Sequence, residues 1–411
     1  MKQFRITTKI VMVLLFSTIV SLAQAQELEF FMNEAVANNL EIKKFEAQYQ
    51  QASEKTNEVQ SIPNTEFGLG YFVSEPETRT GAQRFKVSAK QMLPWFGSIT
   101  ARENYVGAIA DAKYVDIVIA KRKLIASVAQ SYYRLQTLRS KQQVLRSNIE
   151  LLEIYETLAL NAVETGKASA VDVLRLQMRQ NNLVQLQEVL EQQFLAEQSE
   201  MNALLNRDKS IGISLETTLD MPLEALEIST ENLSVHPELT RYDKLYESVE
   251  QSELLNQKER SPMIGFGVDF VNVEKRPGMD FIDNGKDIFM PMLSLSIPIF
   301  NKSYNSKSKQ NALQQEAINY EKETRHNRLQ TLLDKAITEK TSAQIQYRTQ
   351  AENLMQAKDA ETILMKNYES GTLNFGDVLD IQELQLQFEM DQVEAVKNYY
   401  IQSSIINYLT S

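Results

Sequence analysis

Two short runs of this chain share five residues at the same spacing. Gly166, Asp172, Val173, Leu174 and Gln177 form the first; Gly371, Asp377, Val378, Leu379 and Gln382 form the second, 205 positions later. The chemistry open to such a set is that of a turn into a helix. The glycine turns the chain, and a carboxylate is favoured beside the N-terminal amides of the helix that follows. The copies then diverge: Asp380 of the second stands where the first has Arg175. Residues for other chemistry are scarce. There are two histidines, His236 beside Pro237 and His326 between Arg325 and Arg328. Neither has a metal-ligand or catalytic neighbour pattern, and both are expected to face solvent. The chain has no cysteine, which excludes disulfides, thiolate metal sites and cysteine nucleophiles. The methionines, Met290 and Met292 among them, read as packing residues. The expectation is a protein that is not an enzyme and carries no cofactor.

Five matched residues at fixed spacing imply one structural unit built twice. Ser98 to Glu164 contains a single Gly and no Pro, and Ser303 to Ser370 contains neither. Each reads as one helix of roughly 100 Å at ~1.5 Å per residue. Apolar positions recur at helical spacing (Ile125, Val128, Tyr132, Leu135, then Leu145, Ile149, Leu152). The return helix of the first half carries Leu176, Leu183 and Leu190; its counterparts are Ile381, Phe388 and Ala395. These are narrow coiled-coil stripes, with Gln, Asn and charge on the other faces. Ahead of each long helix lie a medium helix (Glu29 to Ser61, Pro237 to Arg260) and two runs of alternating hydrophobicity. In the first half these are Glu66 to Val73 and Arg84 to Met92, joined by a polar loop at 74–83. In the second, Ile264, Phe266, Val268 and Phe270 alternate, then Leu293, Leu295 and Ile297 after a loop at 272–286. The period is that of strands with one apolar face. Each second strand ends at Pro94 or Pro298 with an aromatic close behind, Trp95-Phe96 or Phe300. The expected organisation is a first repeat at 26–208 (β-hairpin 66–92, helical hairpin 98–208), a connector at 209–236, and a second repeat at 237–411 (β-hairpin 263–297, helical hairpin 302–410). The fold class is mostly α with a small β part.

The first residues read as a secretory signal at 1–25. Lys2, Arg5 and Lys9 precede an apolar run from Ile10 to Leu22, and Ala23-Gln24-Ala25 forms an A-x-A cleavage site. Removing those three positive charges from the net charge of −11 leaves −14, which argues against a nucleic-acid partner. Without cysteine no lipid can be carried on an N-terminal cysteine, so membrane attachment has to come from protein surface.

Strands of about nine residues match what crosses a bilayer at a tilt of ~45°. Apolar residues on one face and polar ones on the other is the pattern of an outer-membrane barrel. Surface hairpins of a soluble protein share that period. Four strands cannot close a barrel, and open edges in lipid leave backbone groups unsatisfied at several kcal/mol each. Single-chain barrels begin at about eight strands, so chains must share one barrel, and three chains would give about twelve strands.

With these features together the sequence resembles the TolC-like outer-membrane efflux proteins over about residues 29 to 410. The resemblance rests on the two-half repeat, the hairpins followed by Pro and an aromatic, and the Gly-x5-Asp-Val-Leu turn in each half. It implies a homotrimer with a shared twelve-stranded β-barrel in outer-membrane lipid and a periplasmic α-helical barrel. It also implies a periplasmic adaptor and an inner-membrane pump, a resistance–nodulation–division (RND) or ABC transporter. The implied function is the outer-membrane channel of a tripartite efflux or secretion system, gated at its periplasmic tip. A periplasmic structural coiled-coil protein without channel activity is the alternative. The resemblance places Asp377, Asp380 and Tyr368 at the periplasmic gate, where repeated carboxylates would focus a negative potential. It places Gly166, Asp172, Gly371 and Thr372 at the helical-hairpin turns that face the adaptor. Some relatives carry an Arg shortly after the second glycine; here that position is Leu373.

Overall fold

The computed structural model describes residues 27–166, 169–215, 219–222, 231–370 and 375–410. The expected signal segment, Gly371, Thr372 and Leu373 lie outside the described residues, as does part of the connector. Seven helices dominate: α1 (27–38), α2 (Leu40–Val59), α3 (Ser98–Glu164), α4 (Ala170–Leu204), α5 (Pro237–Glu259), α6 (Ser303–Glu369) and α7 (Phe375–Thr410). The strands are β1 (Glu66–Tyr71), β2 (Glu77–Thr78), β3 (Gly81–Leu93), β4 (Met263–Glu274) and β5 (Ile288–Ser296). The chain is thus mostly α with a small β part. The compact units cut across the sequence halves: one gathers Met1–Lys44, Val118–His236 and His326–Ser411, the other Phe45–Ile117 and Pro237–Arg325.

In the second of these units the strands form one antiparallel sheet in the order β1-β3-β4-β5. Pairing of β3 with β4, from Ala82 opposite Glu274 to Leu93 opposite Ile264, joins the two sequence halves. Side chains alternate across it. One face carries Phe67, Leu69 and Tyr71 of β1, Phe85 and Val87 of β3, Phe266 and Phe270 of β4, and Phe289 and Leu293 of β5. Phe67, Leu69, Tyr71, Phe289 and Leu293 are 67–83% exposed, so large apolar side chains lie side by side uncovered, the kind of surface that marks an interaction site. The other face holds Gly68, Ser88, Lys90 and the Lys86–Asp269 ion pair. Two expectations are corrected here. Residues 74–83 contain β2, which pairs with the start of β3 where Gly81 adopts φ +134°; a Cβ there would fall 1.9 Å from the Glu274 carbonyl oxygen, so only glycine fits. The last strand begins at Ile288 and includes Pro291, which a sheet tolerates on an edge strand, where one side needs no N–H donor.

In the first unit, α3 pairs antiparallel with α4 and α6 with α7. Arg134 bonds Glu197 at 2.9 Å and Gln142 bonds Glu191 at 2.8 Å; Gln385 reaches the Ala357 carbonyl at 3.1 Å. The seam is the expected heptad stripe. Leu145, Leu152 and Ala159 of α3 pack with Leu176, Leu183 and Leu190 of α4 and with Phe375, Val378 and Leu386 of α7. A second cluster joins Phe31 and Ala35 of α1 to Val128, Tyr132 and Leu135 of α3 and Met201 of α4. The stripe of α7 departs from expectation: Ala395 is buried, but Ile381 and Phe388 are half-buried and the seam runs through Val378, Gln382, Gln385 and Leu386. Ile125 is exposed rather than in the α3 stripe.

The expected helix at 29–61 is broken at Asn39. Its side-chain oxygen accepts from the Glu41 amide at 2.9 Å and the Ile42 amide at 3.4 Å, capping α2 and competing with continuation of α1. His236, expected to face solvent, is 2% exposed. Its ring packs edge-on against Tyr408, and Nε2 lies 3.1 Å from the Tyr408 carbonyl oxygen.

Candidate gate at the helical turns

At the first turn α3 ends at Glu164, and Gly166 takes φ +69°, the left-handed conformation that closes a helix at low cost for glycine. The Gly166 amide donates to the Val163 carbonyl at 3.0 Å. Ser169, not Asp172, caps α4, its hydroxyl accepting from the Val171 amide at 3.2 Å. Asp172 lies in the first turn of α4, buried, where the helix dipole favours a carboxylate.

The second turn has different walls. Phe375, the first residue of α7, is fully buried between Tyr368 (ring centroids 4.9 Å) and Tyr155 (5.7 Å). The equivalent positions of the first half, 205 residues earlier, are Ala170 and Val163. The Tyr368 hydroxyl is buried and has no hydrogen-bond partner among the described residues. Burial and then the charge of Asp172 push its pKa up. The structure therefore brings Tyr368 together with Asp172 of the first copy. Asp377 and Asp380 are exposed, in the first two turns of α7 and three residues apart, hence on one face. Arg175 packs its guanidinium over Gly376, where a Cβ would lie 3.0 Å from Nη1. One turn on, Arg179 and Glu383 pair at 3.3 Å. The cationic side of α4 thus meets the acidic side of α7.

The glutamine that closes each repeated motif reaches back to the preceding long helix. Gln177 donates to Glu156 at 2.7 Å and Gln180 to the same carboxylate at 3.1 Å. Displaced by 205, Gln382 donates to Glu361, and Gln385 does so at 2.9 Å. Gln177 is exposed, whereas Gln382 and Gln385 are each 5% exposed. The second carboxylate has one more donor, the Tyr155 hydroxyl of α3. Burial, then the bond to Glu361 and its charge, push the Tyr155 pKa well up, so it is a donor at neutral pH. Sequence reasoning passed over Tyr155, Glu361, Gln385 and Phe375. Extending the repeat by its fixed offset would have paired Glu156 with Glu361 and Gln180 with Gln385.

Among the described residues there is no cluster of three or more His, Asp or Glu able to hold a metal, and no helix long and apolar enough to cross a membrane.

Residues 31–207 match the family model described as outer membrane efflux protein. No curated protein matches the chain by sequence. Among solved structures the fold is similar to CusC, studied for transmembrane channel formation (13% identity, 94% of this chain and 92% of that one, TM-score 0.76). It is similar as well to the outer membrane protein VceC of Vibrio cholerae (15% identity, 94% and 96%, TM-score 0.72). The same holds for the open state of the MtrE outer membrane channel of Neisseria gonorrhoeae (15% identity, 94% and 89%, TM-score 0.72). The family match covers less than half of the chain, and the solved structures show the fold. The resemblance read from the repeat is upheld: residues 31–207 match the outer membrane efflux protein family, and the chain has the fold of the TolC-like channels.

Proposed function

We propose that this chain is the outer-membrane channel of a tripartite efflux or secretion system, passing substrate from an inner-membrane pump and its periplasmic adaptor across periplasm and outer membrane. The observation that carries this reading is the sheet. Its apolar face is exposed across all four long strands, its other face is mixed, with Lys86, Ser88, Lys90 and Asp269 beside Val271, Met290 and Met292, and β1 and β5 end the sheet. In lipid those edges need partners. Three copies, β5 of one against β1 of the next, close about twelve strands with the apolar face outward. The long helices then form a periplasmic tunnel. The turns carrying Gly166, Asp172, Gly371 and Thr372 meet the adaptor of an RND or ABC pump. Tyr368, Asp377 and Asp380 form the gate at the second turn. Three copies of two exposed carboxylates there favour cations and bind divalent ones. Leu373 leaves the gate without the arginine found in some relatives.

Sedimentation or mass photometry of the protein purified in detergent tests the shared barrel. A trimer is expected; a stable folded monomer contradicts it.

A further inference from the structure

We propose that the sheet face opposite the exposed aromatic one carries a thioether site for a soft monovalent metal ion, Cu(I) or Ag(I). The inference rests on the channel reading above, which turns this face toward the lumen, and it names a class of cargo for that channel. By strand register Met92 of β3, Met263 of β4, and Met290 and Met292 of β5 all lie on this face, four of the 14 methionines of the chain. The other face of β1, β3, β4 and β5 has none; Phe, Leu, Ile, Val and Tyr hold most of its positions. A need for apolar packing does not sort methionine this way, because the face without it is the more apolar one.

Three of the four gather about one row of the sheet, in which Met92 pairs with Gly265 and Gly265 with Ser294. The Met92 side chain crosses β4. A Cβ on Gly265 would fall 2.4 Å from its sulfur, and the Ser294 hydroxyl of β5 donates to that sulfur at 3.7 Å. The absence of a side chain at 265 is therefore what seats the sulfur over β4. Met263 stands two residues from Gly265 on β4 and Met292 two residues from Ser294 on β5, each one same-face step of ~7 Å away. The Met292 methyl already leans over Gly267, 3.4 Å from where a Cβ would sit. Met290 and Met292 are 44% and 37% exposed, so an ion in the lumen can reach them. Thioethers are neutral, polarisable donors on flexible side chains; they select soft monovalent ions, whereas hard divalent ions need carboxylate or carbonyl oxygens. The one carboxylate on this face of β4, Asp269, is paired with Lys86, which leaves hard ions no free carboxylate on that strand.

The test is uptake of Ag(I), added as nitrate in chloride-free buffer, by trimers purified in detergent. Equilibrium dialysis should show saturable uptake that a large excess of Mg(II) does not displace. Met92→Leu combined with Met263→Leu and Met292→Leu keeps side-chain volume and should abolish that uptake. Met178→Leu with Met355→Leu, at two exposed methionines on helices, should leave it intact. Absence of uptake by the parent overturns the site, as does uptake unchanged in the triple variant or lost equally in the helical pair. A second readout uses the parent alone and so does not depend on how the variants fold. Bound Ag(I) should slow oxidation of Met92, Met263 and Met292 by hydrogen peroxide relative to Met178, read by peptide mass spectrometry. Equal rates with and without Ag(I), or equal slowing at Met178, contradict the proposal. Conductance of the same trimers in planar bilayers, recorded in nitrate salts, separates the two readings. Conducting trimers that take up no Ag(I) sink the metal site alone, whereas intact trimers that carry no current sink the channel reading.

Discussion

The two helical hairpins descend from one design and differ in what packs at the described residues beside their turns. The first uses backbone devices: Gly166 in a left-handed conformation, Ser169 as cap, and small residues, Val163 and Ala170, where the second has rings. Beside the second lie side-chain contacts: Phe375 clamped between Tyr368 and Tyr155, and a carboxylate held by three donors. Backbone devices act within one hairpin, whereas these contacts bring in Tyr155 of another helix. The comparison teaches that duplication kept the fold of the hairpin, while one copy came to rest on contacts with a neighbouring helix.

The largest expected effect comes from Phe375→Ala, which empties a fully buried aromatic site. It should destabilise the α6–α7 hairpin by about 3–5 kcal/mol, read as lost amide-exchange protection in the first turns of α7. Ala170→Gly at the matching position should cost about 1 kcal/mol. Comparable losses at the two sites would break the contrast. Next, Gln382→Ala leaves Glu361 short of a donor in a buried site and should cost about 1–3 kcal/mol by thermal unfolding. Gln177→Ala, at an exposed bond, should cost under about 1 kcal/mol. Third, Gly166→Ala places a side chain at positive φ and should cost about 1–2 kcal/mol, confined to exchange in the α3–α4 turn.

The smallest effect is in pH. Glu394 of α7 bonds Lys141 of α3 at 2.8 Å, while the matching position on α4 is Val189. Burial raises the Glu394 pKa, but the hydrogen bonds and charges of Lys141 and Lys397 outweigh it and hold the carboxyl below its ordinary 4.5. A depressed carboxylate adds stability above that value and loses it as pH falls through the folded pKa. The melting temperature of Glu394→Gln should therefore lie slightly below the parent at pH 7 and converge with it below about pH 4. A gap that widens in acid contradicts the assignment.

Much of this was legible in the residues. The absence of Pro and near absence of Gly placed α3 at its observed Ser98–Glu164, and the spacing of Leu176, Leu183 and Leu190 marked the buried seam. Alternation at Phe67, Leu69 and Tyr71 marked the outward face of β1. What stayed hidden was long-range or polar. Pairing of β3 with β4 joins residues some 180 positions apart, and no local period encodes it. Gln382, Gln385 and Glu361 looked like a solvated face because hydrophobic periodicity treats every polar residue as exposed, although a satisfied polar network can sit in a seam. Asn39 broke a helix that periodicity alone would carry through, since its side chain competes for the amides of the next turn. Tyr368, Asp377 and Asp380 were gate candidates from the resemblance alone. The structure added the contact partners of Tyr368 and the exposure of both aspartates.

The most direct test of the account is the current carried by purified trimers in a planar bilayer, with a divalent cation added on the side of the helical turns. The account predicts discrete conductance steps that divalent cations block, and relief of that block by Asp377→Ala combined with Asp380→Ala. Intact trimers that carry no current, or block that persists unchanged in the double variant, would contradict it.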